Sequence, residues 1–333
     1  MIIVLKKNIS KKEKEDIISR IHSCGLTPHI SQGTERTIIG VVGDERILQA
    51  KPMDGMKGIE KIINILKPYK LVSRDFKKED TVINIKGRKI GGGDFSVIAG
   101  PCSVESEEQM MMTAEYLSKK GISFLRGGAF KPRTSPYSFQ GLGREGLEFM
   151  KRAASKYDML IVSEIMDAQD IELLYDFVDI FQVGARNMQN FILLQELGAI
   201  DKPILLKRGM SSTLKEWLMA AEYIMLKGNS NIILCERGIR TFEDYTRNTL
   251  DLSAVIAAKN ISHLPVFVDP SHGTGRKEMI LPMSLASKVI GADGVMVEVH
   301  PNPEKALSDS AQSMDFNEFD DMFSKLEGFK WPV

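Results

Sequence analysis

Leu160-Ile-Val-Ser-Glu164 is a short, almost unbroken apolar run that ends in a carboxylate. Seven other runs share its form: Phe95-Ser-Val-Ile-Ala99, Ile122-Ser-Phe-Leu-Arg126, Ile180-Phe-Gln-Val183, Ile204-Leu-Leu-Lys207, Ile232-Ile-Leu-Cys-Glu-Arg237, Val266-Phe-Val-Asp269 and Val295-Met-Val-Glu298. A strand covered on both faces reads as a continuous apolar run because neither face meets water. Eight such strands alternating with helix-length segments predict a closed (β/α)8 TIM barrel over residues 94–333. In that barrel every strand C-terminus opens on one face. Arg126, Glu164, Lys207, Arg237, Asp269 and Glu298, far apart in the chain, are therefore expected at a single mouth.

The intervening segments predict eight helices: Ser106 to Lys119, Glu145 to Tyr157, Ala168 to Phe177, Asn187 to Leu197, Thr213 to Leu226, Tyr245 to Ala258, Leu281 to Ile290 and Asp315 to Leu326. Leu214, Trp217, Leu218, Ala221 and Met225 show the three-and-four spacing of a buried helix face. Most of the 18 methionines suit the same core-filling use.

Residues 1–70 have another rhythm. Ile2-Ile-Val-Leu5, Thr27 to Ser31, Thr37 to Val42 and Tyr69-Lys-Leu-Val72 read as strands, with helices over Lys11 to Cys24 and Met56 to Leu66. The order βαββαβ predicts a small ferredoxin-like α+β domain, suited to regulation or assembly. Residues 71–93 read as a linker and a hairpin, from Thr81-Val-Ile-Asn-Ile85 through Lys86-Gly87 to Lys89-Ile90, that caps the N-terminal end of the barrel.

Lys plus Arg and Asp plus Glu number 44 each, so no global field favours nucleic acid or an anionic membrane. The apolar run that begins Met1-Ile-Ile-Val-Leu-Lys-Lys is too short for a secretory h-region, and no run approaches a membrane span, which predicts a cytoplasmic protein. Cys24, Cys102 and Cys235 are too few and oddly numbered for a disulfide framework.

The loop after the second barrel strand, Arg126-Gly-Gly-Ala-Phe-Lys131-Pro-Arg133-Thr-Ser135-Pro-Tyr-Ser-Phe-Gln140-Gly-Leu-Gly143, combines cations, hydroxyls and glycines. That is the composition of an anion pocket: guanidinium forks match phosphate and carboxylate, and exposed backbone N–H groups fill the remaining acceptors. Arg186, Lys207, Arg208, Arg237 and Arg240 follow other strands. Like charges at about 4 Å repel by roughly 4 kcal/mol at an effective dielectric of 20, so such crowding in one cleft implies a multiply anionic ligand. Individual cations could instead pair with Glu164 or Glu236.

A second constellation is metal-like. Cys102 follows the first strand, His272 the seventh, Glu298 ends the eighth and Asp309 lies beyond it. Strands one, seven and eight are neighbours in a closed barrel, so thiolate, imidazole and carboxylate donors can converge, a mixture that suits Mn, Fe, Co or Zn better than Mg. His300, two residues from Glu298, is a competing donor by strand alternation.

Ala99-Gly-Pro-Cys-Ser-Val-Glu105, the 125–141 loop, Gly184-Ala-Arg-Asn187, Leu206-Lys-Arg-Gly209, Cys235-Glu-Arg-Gly238, Asp269-Pro-Ser-His272 and Glu298-Val-His-Pro301 together closely resemble 3-deoxy-D-arabino-heptulosonate 7-phosphate (DAHP) synthase, in the type I beta form with an N-terminal ferredoxin-like domain. The resemblance spans nearly the whole chain and departs locally at Gly273-Thr-Gly275-Arg276. It implies condensation of phosphoenolpyruvate with erythrose 4-phosphate, the first step of the shikimate pathway to chorismate and the aromatic amino acids. It also implies metal ligation by Cys102, His272, Glu298 and Asp309. Phosphoenolpyruvate contacts map onto Arg126, Lys131, Arg186, Lys207 and Arg237, and erythrose 4-phosphate contacts onto Arg133, Thr134 and Ser135, with Asp269 near the sugar. Lys131 is the leading general acid, with Glu164 and Asp269 in reserve. The family further implies a homotetramer, and inhibition by tyrosine or phenylalanine through the N-terminal domain.

The nearest rival in chemistry is 3-deoxy-D-manno-octulosonate 8-phosphate synthase, which uses arabinose 5-phosphate. Its sugar loop resembles Lys-Ala-Asn-Arg-Ser-Ser, whereas Lys131-Pro-Arg-Thr-Ser135 keeps a phosphate-gripping arginine suited to the shorter aldose. A non-catalytic effector sensor would have no use for Cys102 and His272.

Overall fold

The computed structural model describes residues 1–33, 36–42, 53, 55–63, 68–131 and 135–329. They form two compact units, Met1–Asp80 with Asn260–His263, and Thr81–Lys259 with Leu264–Val333.

In the smaller unit β1 (Ile2–Leu5), β2 (Thr27–Gln32), β3 (Thr37–Val42) and β4 (Ile59–Ile63) make an antiparallel sheet in the order β2-β3-β1-β4. The first strand lies between the third and fourth, the ferredoxin-like arrangement. Helix α1 (Lys11–Ser23) starts at a capping box: Glu13 N–H donates to Ser10 Oγ at 3.2 Å, and Ser10 N–H donates to Glu13 Oε2 at 2.9 Å. Its Ile17 and Ile21 join Ile3, Leu5 and Ile39 in one apolar core.

The predicted helix over Met56 to Leu66 does not form where the residues are described. Ile59–Ile63 instead pairs with β1, Ile2 facing Ile63. Ile59, Ile62 and Ile63 satisfy helical spacing, but a long-range partner strand outweighs that local preference. Leu66 lies outside the described residues. Tyr69–Val72, expected as the last strand, is turn and irregular backbone.

The larger unit begins with a hairpin, β5 (Ile83–Ile85) and β6 (Arg88–Ile90). Both turn residues have positive φ, Lys86 at 49° and Gly87 at 86°, as the right-handed twist of a two-residue hairpin requires. Its Ile83, Ile85 and Ile90 pack with Ile98, Phe124, Leu160 and Ile180, at or near the starts of four barrel strands. The hairpin thus plugs the N-terminal end.

Eight parallel strands follow: β7 (Ser96–Gly100), β8 (Phe124–Arg126), β9 (Leu160–Ile165), β10 (Ile180–Val183), β11 (Ile204–Lys207), β12 (Ile232–Glu236), β13 (Val266–Val268) and β14 (Gly294–Glu298). The barrel closes where β14 meets β7, Val297 opposite Ala99. Between them stand α2 (Glu107–Lys119), α3 (Arg144–Lys156), α4 (Ile171–Tyr175), α5 (Phe191–Gly198), α6 (Leu214–Leu226), α7 (Leu252–Ile261), α8 (Pro270–Thr274) and α9 (Ile280–Val289), and α10 (Phe316–Gly328) follows β14. Trp217 and Leu218 of α6 are fully buried, and the Trp217 indole N–H donates to Leu206 O at 3.1 Å.

Two helix expectations shift enough to affect the mouth of the barrel. Ala168 to Phe177 is a 3-10 turn, Ala168–Asp170, followed by a single short helix. The helix expected from Tyr245 starts at Leu252, because Asp251 caps it by accepting from Ala254 N–H at 3.0 Å. Residues 239–251 are released as a loop, held by a bridge between Ile239 and Thr249.

Candidate active site

The strand tips open onto a cavity of about 460 Å³. Seven cations line it, Arg126, Lys131, Arg186, Lys207, Arg237, Arg240 and Arg247, against the carboxylates of Glu164 and Asp309. Backbone economy lets these chains converge. A Cβ on Gly184 would lie 2.1 Å from Glu164 Oε1, and one on Gly100, where φ is +146°, 2.1 Å from Arg126 O. Glycine at both positions lets neighbouring strand ends approach.

One side of the cavity gathers four donors. Cys102 Sγ, a ring nitrogen of His272 and one oxygen each from Glu298 and Asp309 all lie within 4.8 Å of one another. An ion held at about 2.0–2.3 Å separates tetrahedral ligands by roughly 3.3–3.8 Å. Here Sγ to Asp309 Oδ2 is 3.1 Å, His272 Nε2 to Glu298 Oε1 is 3.3 Å, and His272 Nε2 to Asp309 Oδ2 is 3.8 Å. The donors fit a divalent ion in both spacing and chemistry. His300 points elsewhere, its Nε2 lying 3.4 Å from Glu105 Oε2 while Nδ1 accepts from Asn302 N–H. Of the two donors left open by strand alternation, Glu298 is the one that faces the cluster.

Electrostatics among these four side chains are those of crowded donors. Burial, then the Glu298 charge, pushes the Cys102 thiol up to about 12. Burial also lowers His272. Burial, the largest single influence, would raise Glu298 and Asp309, but His272 together with Arg126 at Glu298 and with Arg247 at Asp309 outweighs it, and both carboxyls sit below their ordinary range. A bound cation lowers a ligating thiol by direct charge, the reverse of what burial does.

Behind the donors, Asp269 accepts from Lys207 Nζ at 2.6 Å and from His272 N–H at 2.9 Å, and its Oδ2 lies 2.8 Å from His272 Nδ1. His272 Nε2, the other ring nitrogen, is the one near Glu298 and Asp309. Asp269 is wholly buried, and its described partners are Lys207 and His272. Lys131 Nζ donates to Cys102 O at 2.9 Å and contacts Cys102 Sγ at 3.1 Å. Glu164 lines the wall and accepts from Gln182 Nε2 at 3.2 Å.

Arg126, Arg186, Lys207, Arg237 and Ser135 all reach the cavity, whereas Arg133 and Thr134 lie outside the described residues. Arg208 is turned away: its Nη1 meets Glu236 Oε2 at 2.9 Å and Asp251 Oδ2 at 3.0 Å, away from the cavity lining. Two residues escaped sequence reasoning. Arg247 falls inside the helix expected from Tyr245, although Asp251-Leu-Ser-Ala254 is a capping signal that puts Arg247 in a loop. Gln312, buried beside Glu298, carries no charge and follows no strand, so nothing in the sequence marks it.

Residues 78–331 match the model of the DAHP synthetase I family, and residues 1–67 match that of the DAHP synthase ferredoxin-like domain. Phospho-2-dehydro-3-deoxyheptonate aldolase of Thermotoga maritima is 52% identical over 327 residues, covering 98% of this chain and 97% of that protein. The crystal structure of the Thermotoga maritima enzyme matches with a TM-score of 0.78 at 51% identity, over 98% of this chain and 96% of that one. A 2-dehydro-3-deoxyphosphooctonate aldolase of Francisella tularensis is 30% identical, over 74% of this chain and 95% of its own. Matched along both the leading unit and the barrel, the chain belongs to the DAHP synthetase I family.

Proposed function

We propose that this chain condenses phosphoenolpyruvate with erythrose 4-phosphate to give DAHP and phosphate. The observation that carries this reading is a single cavity in which a wall of seven cations faces a thiol, imidazole and carboxylate donor set. Two phosphorylated reactants supply the anions such a wall needs.

Arg126, Arg186, Lys207 and Arg237 bind the carboxylate and phosphate of phosphoenolpyruvate. Ser135, with Arg133 and Thr134, holds the phosphate of the aldose. Cys102, His272, Glu298 and Asp309 hold a divalent ion, with Mn, Fe, Co or Zn suited to the mixed donors. When bound, the ion supplies a Lewis acid for the aldehyde oxygen.

C3 of phosphoenolpyruvate forms a bond to the aldehyde carbon, and water adds to C2 as positive charge develops there. The tetrahedral product then loses phosphate by C–O cleavage. The cations orient both reactants and stabilise the departing phosphate. Lys131, which contacts Cys102 and lines the cavity, donates the proton that turns the new alkoxide into a hydroxyl, and Glu164, another residue of the cavity lining, accepts one from the attacking water. Asp269 keeps the His272 ring in register.

The smaller unit carries regulation in this reading, with tyrosine or phenylalanine as inhibitor, and the assembly is a cytoplasmic homotetramer. The test of substrate is phosphate release from phosphoenolpyruvate with erythrose 4-phosphate or arabinose 5-phosphate. The four-carbon aldose is expected to turn over faster. Faster release with arabinose 5-phosphate assigns the chain to the octulosonate reaction of its 30%-identical relative.

A further inference from the structure

Each carboxylate of the donor cluster has one oxygen facing the other donors and one facing away. Asp309 Oδ2 faces Cys102 Sγ and His272 Nε2, while Oδ1 accepts from Arg247 Nη1 at 3.1 Å. Glu298 Oε1 faces His272 Nε2 and accepts from Arg126, while Oε2 accepts from Gln312 Nε2 at 2.6 Å. The two outward oxygens are joined, because Arg247 Nη1 also donates to Gln312 Oε1 at 2.8 Å. Orientation of the amide is chemically forced: a carboxylate only accepts and a guanidinium only donates, so Nε2 must face Glu298 and Oε1 must face Arg247.

This bridge has work to do at Asp309. The residue sits in the left-handed region, φ 50° and ψ 38°, a conformation that favours glycine. Within its own loop it is held by Ser313 Oγ, which donates to Asp309 O at 3.0 Å. Its side chain is held by Cys102 Sγ at Oδ2 and by Arg247 at Oδ1. Gln312 is 3% exposed, so neither of its polar ends turns to solvent instead.

We infer that Gln312 and Arg247 are positioning residues for the ion: by occupying the outward oxygen of Glu298 and of Asp309 they leave each carboxylate a single oxygen to coordinate with. The inference rests on the reading of the four donors as an ion site. Arg247 also lines the cavity, so the bridge ties the ion site to the wall that binds the anionic reactants.

The test is ion affinity, measured by competition with a fluorescent chelator, on the full chain and its Gln312→Met and Arg247→Met variants. Loss of a hydrogen-bonding partner behind a ligand typically weakens metal binding ~10–100-fold, and that weakening is expected in both variants. The visible absorption of the Co(II)-loaded protein, which reports ligand geometry directly, is expected to shift as well. The Arg247 side chain is 40% exposed, so its variant should fold even if the buried Gln312 variant does not. Unchanged affinity together with an unchanged Co(II) spectrum in Arg247→Met overturns the inference. Failure of the unsubstituted protein to take up Co(II) at all overturns it differently, by removing the ion site on which it rests.

Discussion

Lys131 Nζ stands 3.1 Å from Cys102 Sγ and 2.9 Å from the carbonyl oxygen of the same residue. One ammonium thus touches both the donor cluster and the cavity. The contact joins the two halves of the site, one suited to an ion and the other to phosphates. If Lys131 gives up a proton during turnover, Lys131→Met should lower kcat by ~10²–10⁴, the usual contribution of a positioned acid, with a smaller change in KM. A purely electrostatic role would instead raise KM for phosphoenolpyruvate and leave kcat nearly intact. Steady-state kinetics on the variant separates the two.

The Cys102 thiol makes the metal-free protein sensitive to high pH. Burial and then Glu298 raise it from 9 to about 12 in the folded chain. The folded state therefore keeps its proton longer than the unfolded state, a stabilisation complete below the unfolded value near 9 and lost as pH rises through 12. Thermal melts of the metal-free protein should show falling stability above about pH 9. Cys235, also buried and raised, adds to the effect. Cys102→Ser should therefore flatten the slope in part, and an identical slope in the variant argues against the assignment. The same substitution should remove most activity.

Gly184→Ala tests the packing beneath Glu164. The new Cβ would lie 2.1 Å from Glu164 Oε1, so that carboxylate must swing out of its place beside Gln182. Activity is expected to fall by about tenfold or more, as displacement of a positioned group does. A circular dichroism spectrum matching the parent shows that the barrel survives. Full activity would mean that Glu164 needs no fixed position.

Deleting residues 1–66 should abolish inhibition by tyrosine or phenylalanine while sparing turnover. Among the described residues, those that line the cavity all belong to the larger unit. Inhibition that persists in the truncated protein would place the effector site in the barrel.

The barrel is legible in the sequence because a parallel strand buried on both faces cannot alternate, and Ile204-Leu-Leu-Lys207 has no second interpretation once seven similar runs surround it. The charged or donor residues at its strand tips follow from topology alone. Ile59–Ile63 is different, since its spacing satisfies a helix and only the distant Ile2–Leu5 makes it a strand. Arg247 was hidden by the same kind of ambiguity, and Gln312 by having no charge. Asp309 could be named from its place beyond the eighth strand and from the resemblance, but its left-handed backbone and its partners belong to tertiary structure. Local pattern reports which face a side chain takes; it does not report which hydrogen bonds hold a carboxylate oxygen.

Chelation tests the central claim most directly. Phosphate release from phosphoenolpyruvate, dependent on erythrose 4-phosphate, should vanish when the protein is stripped by chelator. It should return on addition of Mn, Co or Zn more fully than with Mg. Undiminished release in the presence of chelator, from protein shown to be metal-free, would contradict the account.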